Sequence, residues 1–214
     1  TLVVSPLLAL MRDQIAADYK ANRAPMPPDL KDQIPWVHEA CEAMGVPILT
    51  SEGFEADDVI GALARQAAAA GFDVAIVTGD KDFFQLVGGA IRVYNPKDDG
   101  AWFDADGVKE KFGVLPSQVV DVLALMGDAS DNIPGVPSVG PKTAAKWLAE
   151  FGTLDAIVER AGEIKGKVGE KLRESLPQIP LSRQLATIHV DVPLTLKPED
   201  LVAGPPDVAV LKKL

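Results

Sequence analysis

Between Glu52 and Asp82 the chain sets seven acidic side chains against two basic ones, Arg65 and Lys81. The acids gather in two short groups, Glu55-Ala56-Asp57-Asp58 and Thr78-Gly79-Asp80-Lys81-Asp82, and a third follows at Gly127-Asp128-Ala129-Ser130-Asp131-Asn132. Carboxylates this dense repel one another, so either their pKa values rise or positive charge sits among them. No matching run of Lys and Arg accompanies them. A hard divalent cation is the economical neutraliser, and a centre of that kind serves phosphate chemistry.

The elements that position these groups follow from periodicity. Residues 56–70 read as a helix with an apolar face of Val59, Ile60, Leu63, Ala64 and Ala67, closed by Gly71. Its first turn holds Asp57 and Asp58, which leaves plain helix capping open as their role. Val74–Val77 is a continuous apolar run, as in a strand buried on both faces of a parallel sheet. Asp80 and Asp82 come directly after it, beyond the carboxyl end, where open α/β sheets bind ligands. Further helices are expected at 9–20, 29–44 and 82–87, and strands at 47–50 and 91–94. The spacing of Ile34, Val37, Ala40, Cys41 and Met44 gives the second of those helices its apolar side. This β–α–β rhythm makes residues 1–106 an α/β lobe. Residues 107–190 read as helical throughout (107–112, 116–126, 141–151, 153–161, 167–176 and 180–188), and 191–214, with Pro193, Pro198, Pro205 and Pro206, as an irregular tail. The acids of the first two groups and Asp131 are expected to meet at one end of the sheet. An Asx turn is the alternative reading of Asp128 and Asp131.

Gly135-Val136-Pro137-Ser138-Val139-Gly140-Pro141-Lys142-Thr143-Ala144 brackets a tight interhelical turn with two glycines, and Pro141 suits the first turn of the next helix. Backbone N–H groups at such a helix start can hold a phosphate, with Lys142 and Lys146 adding charge but reading no base. An ordinary helix–helix turn is the plainer alternative. Tyr19-Lys20-Ala21-Asn22-Arg23 sets two cations and an aromatic ring at a helix end, either a solvated face with a packed Tyr or a phosphate-steering group. His38 and His189 lack partners at ligand spacing and read as structural. Trp36, Trp102 and Trp147 read as core. No Ser-His-Asp set or P-loop is present.

The net charge of −10 argues against nucleic acid on its own. The charge is segregated, however: residues 142–173 carry seven Lys or Arg against five acids, and Lys20, Arg23 and Lys31 form a second basic stretch. One cysteine, Cys41, excludes an internal disulfide and a cysteine metal cage and suggests a reducing, cytoplasmic setting. No apolar run has the length of a membrane span, and no signal peptide is evident.

Taken together, Tyr19–Arg23, Glu55–Asp58, Thr78–Asp82, Gly127–Asn132 and Gly135–Ala144 resemble, in this order, the 5′-nuclease domain of bacterial DNA polymerase I within the flap-endonuclease family, over roughly residues 12–194. The resemblance implies a Rossmann-like (PIN-like) parallel sheet, a helical arch and a helical lobe with a helix–hairpin–helix DNA clamp. It implies two divalent metals, Mg²⁺ or Mn²⁺, hydrolysing a DNA phosphodiester near a 5′ end in replication and repair. By motif, Glu55, Asp57, Asp58, Asp80, Asp82, Asp128 and Asp131 become metal-site carboxylates, and Lys20 and Arg23 catalytic arch residues near the phosphate. Tyr19, Lys20, Arg23, Gly135, Val136, Ser138, Gly140, Lys142, Thr143 and Lys146 become DNA contacts, with K⁺ at the hairpin. The implied partner is a 5′-flap, nicked or branched duplex, met by a monomer within a longer polymerase chain on the nucleoid.

The chain also departs from the family pattern. The family opens on a strand with a metal-binding Asp that has no counterpart here, and a second expected Asp falls at Ser5. Residues 1–14 instead resemble a stretch of RecQ-family helicases, although no ATP-binding motif follows. Ser138 stands where the hairpin usually has Gly. A front truncation of this kind implies weakened catalysis. The alternative function is therefore a non-catalytic, structure-selective DNA-binding module.

Overall fold

The computed structural model describes residues 3–4 and 10–214, with side chains at Arg12 and from Gln14 onward. Ser5 and half of the helicase-like stretch lie outside the described residues. Two short parallel strands, β1 (Val3–Val4) and β2 (Ile48–Leu49), pair with each other. Between them run α1 (Leu10–Ile15) and α2 (Pro28–Ala43). The second sheet has the order β3 (Val74–Val77), β4 (Ile91–Asn95), β5 (Ala101–Phe103), the first pair parallel and the second antiparallel. β5 has no counterpart among the expected strands. It is a three-residue return of a hairpin whose turn uses the positive-φ residues Asp99 and Gly100.

α3 (Ala56–Ala69) lies between two apolar clusters. Ala64 joins the main core, while Val59 and Ala62 pack with Leu49 and Val192. Packing on two sides explains why Gly61 and Ala62 are buried outside the expected single face. A Cβ at Gly61 would stand 2.6 Å from Ile188 Cγ2.

α4 (Ala105–Phe112), α5 (Val119–Met126), α6 (Pro141–Phe151), α7 (Leu154–Glu159), α8 (Gly166–Ser175) and α9 (Ile179–Ala186) build the helical lobe. One continuous core runs from Phe84, Val93 and Phe103 of the sheet lobe through Val108 and Leu123 to Leu148, Leu172 and Leu185. The tail from Asp191 contains a 3₁₀ turn (Pro198–Asp200) and a short helix, α10 (Val208–Leu211), and returns to α2: Gly204 N–H donates to the Gly45 carbonyl at 2.7 Å and Asp207 N–H to that of Ala43 at 2.6 Å.

Three expectations are corrected. β3 is not buried on both faces, since Ala75 and Val77 are exposed. Among the described residues β3 pairs only with β4 and is the edge of its sheet. Trp36 and Trp102 are 65% and 55% exposed, and only Trp147 is core. Trp102 instead lies beside Tyr94 with Arg92 over its ring. α2 turns Val37 and Met44 to the surface; among the described elements it packs chiefly on β2 and the tail helix.

The turn between α5 and α6 is set by backbone contact. A Cβ on Gly135 would sit 2.3 Å from the carbonyl of Met126, and one on Gly127, at φ +70°, 2.6 Å from Gly135 N. Gly135→Ala is therefore expected to lose about 1–3 kcal/mol as an overpacked site. Gly140→Ala, whose Cβ would meet open space at φ −114°, should be within about 0.5 kcal/mol of the parent. Urea unfolding of the two variants checks the contrast.

Candidate metal centre and nucleic-acid interface

The acidic groups reach their places by short, locally specified turns. Glu55 stands at the N-cap of α3, and its N–H donates to Asp58 Oδ2 at 3.3 Å, one half of a capping box. Asp80 caps the 3₁₀ turn Lys81–Leu86, its carboxylate accepting from Asp82 N–H at 2.9 Å. Asp128 accepts from Ser130 N–H at 2.8 Å and also from the Ser130 hydroxyl. The Asx turn offered as an alternative thus exists, and the same carboxylate faces Lys81.

Asp57, Asp80, Asp82, Asp128, Asp131 and Glu55 share one electrostatic neighbourhood. Burial first, then the charges of Asp80 and Glu55, push Asp57 up to about 6. Burial and then Asp80, with smaller pushes from Asp128 and Asp131, raise Asp82 to about 7. Burial works against Asp128, but hydrogen bonds from Lys81 and Ser130 hold it down at about 2. Among the described residues no three carboxylates stand close enough to enclose an ion. Cationic side chains occupy the space instead. Lys20 Nζ lies 2.5 Å from Glu55 Oε1 and 3.8 Å from Asp131 Oδ2; Arg23 pairs with Asp131; Lys81 Nζ lies 2.6 Å from Asp128 Oδ2. Lys20 takes φ +56° to do this, with its N–H bound to the Asp131 carbonyl at 2.9 Å. Among the described residues one buried side-chain oxygen is left over: Asp82 Oδ1 receives no hydrogen bond.

Asp58 departs from its expected role. It is fully buried, and both its oxygens take a bidentate pair of 2.8 Å bonds from Arg12. Oδ1 also accepts from His189 N–H at 2.8 Å. Arg12 in turn donates to the carbonyls of Leu185 at 3.2 Å and Thr187 at 2.8 Å. Asp58 thus ties α1, α3 and the end of α9 together behind the acidic face. The sequence assigns Arg12 no role, since its hydrogen-bonding partners lie 46 to 175 residues away.

Tyr19 is likewise buried rather than presented to a strand. Its hydroxyl stands 3.3 Å from both Glu55 Oε2 and Asp131 Oδ2, and burial followed by those two charges raises its pKa. Val136 is core, and its N–H is spent on the Leu125 carbonyl at 2.8 Å, so it has neither side chain nor amide to offer a ligand. Thr143 N–H turns back to the Gly140 carbonyl at 3.0 Å. Gly135 serves the turn's packing and accepts from Gln178. Ser138 holds φ +68° at the exposed tip, with Lys171 Nζ on its hydroxyl at 2.7 Å. Gly140, Lys142 and Lys146 remain as the open, cationic side of the hairpin.

Comparison with known proteins covers nearly the whole chain. Residues 7–113 match the model of the 5′-3′ exonuclease N-terminal resolvase-like domain, and residues 114–209 that of the 5′-3′ exonuclease C-terminal SAM fold. DNA polymerase I of Pseudomonas aeruginosa is 50% identical over 203 residues, covering 91% of this chain and 22% of that protein, so the chain spans about a fifth of such relatives. Among solved structures, T5 D15 protein co-crystallised with metal ions superposes with a TM-score of 0.75 at 22% identity, over 100% of this chain and 80% of that one. The catalytic core of Rad2 in complex with DNA substrate gives 0.64 at 20%, over 99% and 72%. A sheet lobe followed by a helical lobe, acidic turns at their junction and matches to both domain models leave one assignment: the chain belongs to the 5′-3′ exonuclease/flap endonuclease family.

Proposed function

We propose that this chain is a divalent-metal-dependent nuclease domain that hydrolyses DNA phosphodiesters near 5′ ends, at flaps, nicks or branches. The observation that carries the reading is the junction of an acidic face with a cationic hairpin. The Asp128–Asp131 loop runs straight into the turn bearing Gly140, Lys142 and Lys146. A strand held by the hairpin backbone would have its phosphates directed to the acids. The metal-bearing T5 protein and the DNA-bound Rad2 core share the fold, and the polymerase relatives support a place within a longer replication and repair protein acting on nucleoid DNA.

The donor set fits Mg²⁺ or Mn²⁺. It is all oxygen, it includes Asp82 Oδ1, which receives no hydrogen bond, and burial together with crowding raises Asp57 and Asp82, a condition a cation relieves. Glu55, Asp57, Asp80, Asp82, Asp128 and Asp131 would hold the ions, and Asp58 would fix α3 beneath them. Bound there, the ions would supply Lewis acidity and a more acidic water. The chain's own part is binding and orientation. Tyr19 holds Glu55 and Asp131 in register. Lys20 and Arg23, at present neutralising those carboxylates, are placed to take the phosphate's charge once the carboxylates are otherwise satisfied. K⁺ at the hairpin tip belongs to the same proposal.

The test is cleavage of a labelled 5′-flap duplex with Mg²⁺ or Mn²⁺ against EDTA. Metal-dependent release of the flap is expected. Binding without cleavage in either metal would return the chain to the class of structure-selective DNA-binding modules. Lys142→Ala should weaken binding about equally for all sequences and reduce the salt slope by roughly one unit. A changed base preference with the slope intact would refute a phosphate contact.

A further inference from the structure

Lys81 is the one residue of the Asp80-Lys81-Asp82 turn to which the functional reading gives no task. Its position is specific. Nζ is 2.6 Å from Asp128 Oδ2 and 3.8 Å from Asp82 Oδ1, two carboxylates brought together from turns 46 residues apart in sequence. The first contact is a hydrogen bond. The second is too long for one, and Asp82 Oδ1 has no other partner. An ammonium group therefore fills the gap between two acids while satisfying only one of them. The Lys81 side chain is also 38% exposed, so it has a route out to solvent.

We propose that Lys81 is a tethered counter-ion. In the metal-free protein its ammonium group stands between Asp82 and Asp128 and holds the two turns in register; a divalent ion at these carboxylates has to displace it. The inference rests on the metal-centre reading and adds to it a built-in competitor. A monovalent head on a flexible stem is an ill-fitting occupant beside a divalent ion that can take both carboxylates at once. Metal affinity at this locus is therefore set by what Lys81 gives up as well as by the acids. The displaced ammonium, swung outward on its four-carbon stem, adds positive charge at the rim facing the phosphate path.

Mn²⁺ binding followed by the electron paramagnetic resonance signal of the free ion separates the possibilities without reference to cleavage. Lys81→Met should bind Mn²⁺ at least threefold more tightly than the parent, and Lys81→Gln, a second neutral variant in case the first folds poorly, should do the same. Lys81→Arg, which keeps the charge and a donor for Asp128, should stay within twofold of the parent. In an Asp128→Asn background, Lys81→Met should no longer tighten binding, because the pair it competes for is gone. Unchanged or weaker Mn²⁺ binding in both neutral variants would overturn the role of Lys81. So would tightening that persists in Asp128→Asn, since that would mark a general charge effect. A parent protein that takes up no Mn²⁺ would remove the metal-centre reading itself and Lys81's role with it, an outcome distinct from normal uptake with no Lys81 effect.

Discussion

Replacing Asp58 with Ala is expected to cost the fold about 3–5 kcal/mol, the range for breaking a buried ion pair from one side. The variant would keep the Arg12 guanidinium buried against the carbonyls of Leu185 and Thr187 with its main counter-charge gone. Glu55 offers partial compensation, since its Oε2 already lies 3.2 Å from Arg12 Nη1, which places the loss toward the lower end. The His189 and Glu55 N–H groups would also lose their acceptor. For a chain of this length the loss lowers the melting temperature by on the order of 10 °C. Urea unfolding followed by far-UV circular dichroism measures it, and a change under about 1 kcal/mol would refute the structural role assigned to Asp58. The pair variant Arg12→Met/Asp58→Leu should recover much of the loss, because neither charge is then stranded.

The second large effect is a pH-dependent stability that metal reverses. Asp57 and Asp82 titrate at about 6 and about 7 in the folded protein, against an ordinary value of 3.8. Between those limits the folded state binds more protons than the unfolded state, so stability falls as pH rises. The fall begins near pH 4 and is complete above pH 7, on the order of 3 kcal/mol from Asp57 and about 4 kcal/mol from Asp82 at 1.36 kcal/mol per unit. Asp128 has the opposite sign: held at about 2, it adds stability above pH 4 that is lost only as pH drops through 2, outside the window. A divalent cation binds the ionised carboxylates, so its stabilisation grows as protons leave. Melting curves from pH 5 to 8 in EDTA should decline, and those with excess Mn²⁺ should decline less or rise. Asp82→Asn, neutral throughout, should flatten the EDTA curve. A Mn²⁺-induced shift as large at pH 5 as at pH 8 would contradict the assignment.

What the sequence made legible was whatever depends on neighbours along the chain. α3, β3, the 3₁₀ turn after it and α6 lie close to their expected positions, because apolar spacing, a capping acid or a Gly-Pro step specifies each locally. The acidic turns were legible for the same reason. Errors fell where a residue's environment is supplied by distant segments. Val77 reads as interior but lacks a second layer, and Trp102 reads as core but lies over Tyr94 at the surface. Asp58 looks like its neighbour Asp57, and only an arginine 46 residues earlier separates their duties. Tyr19 is a comparable case, legible as an aromatic at a helix end but not as the hydroxyl between Glu55 and Asp131.

The two domain models meet between residues 113 and 114, but the apolar interior does not divide there. Val108 and Val114, on either side of that line, belong to one buried cluster with β4 and α5. The seam separates two family matches and not two units of stability. Cutting the chain at it would leave each piece with half an interior turned to water, so the two halves should melt, exchange amide protons and resist proteases as a single cooperative unit.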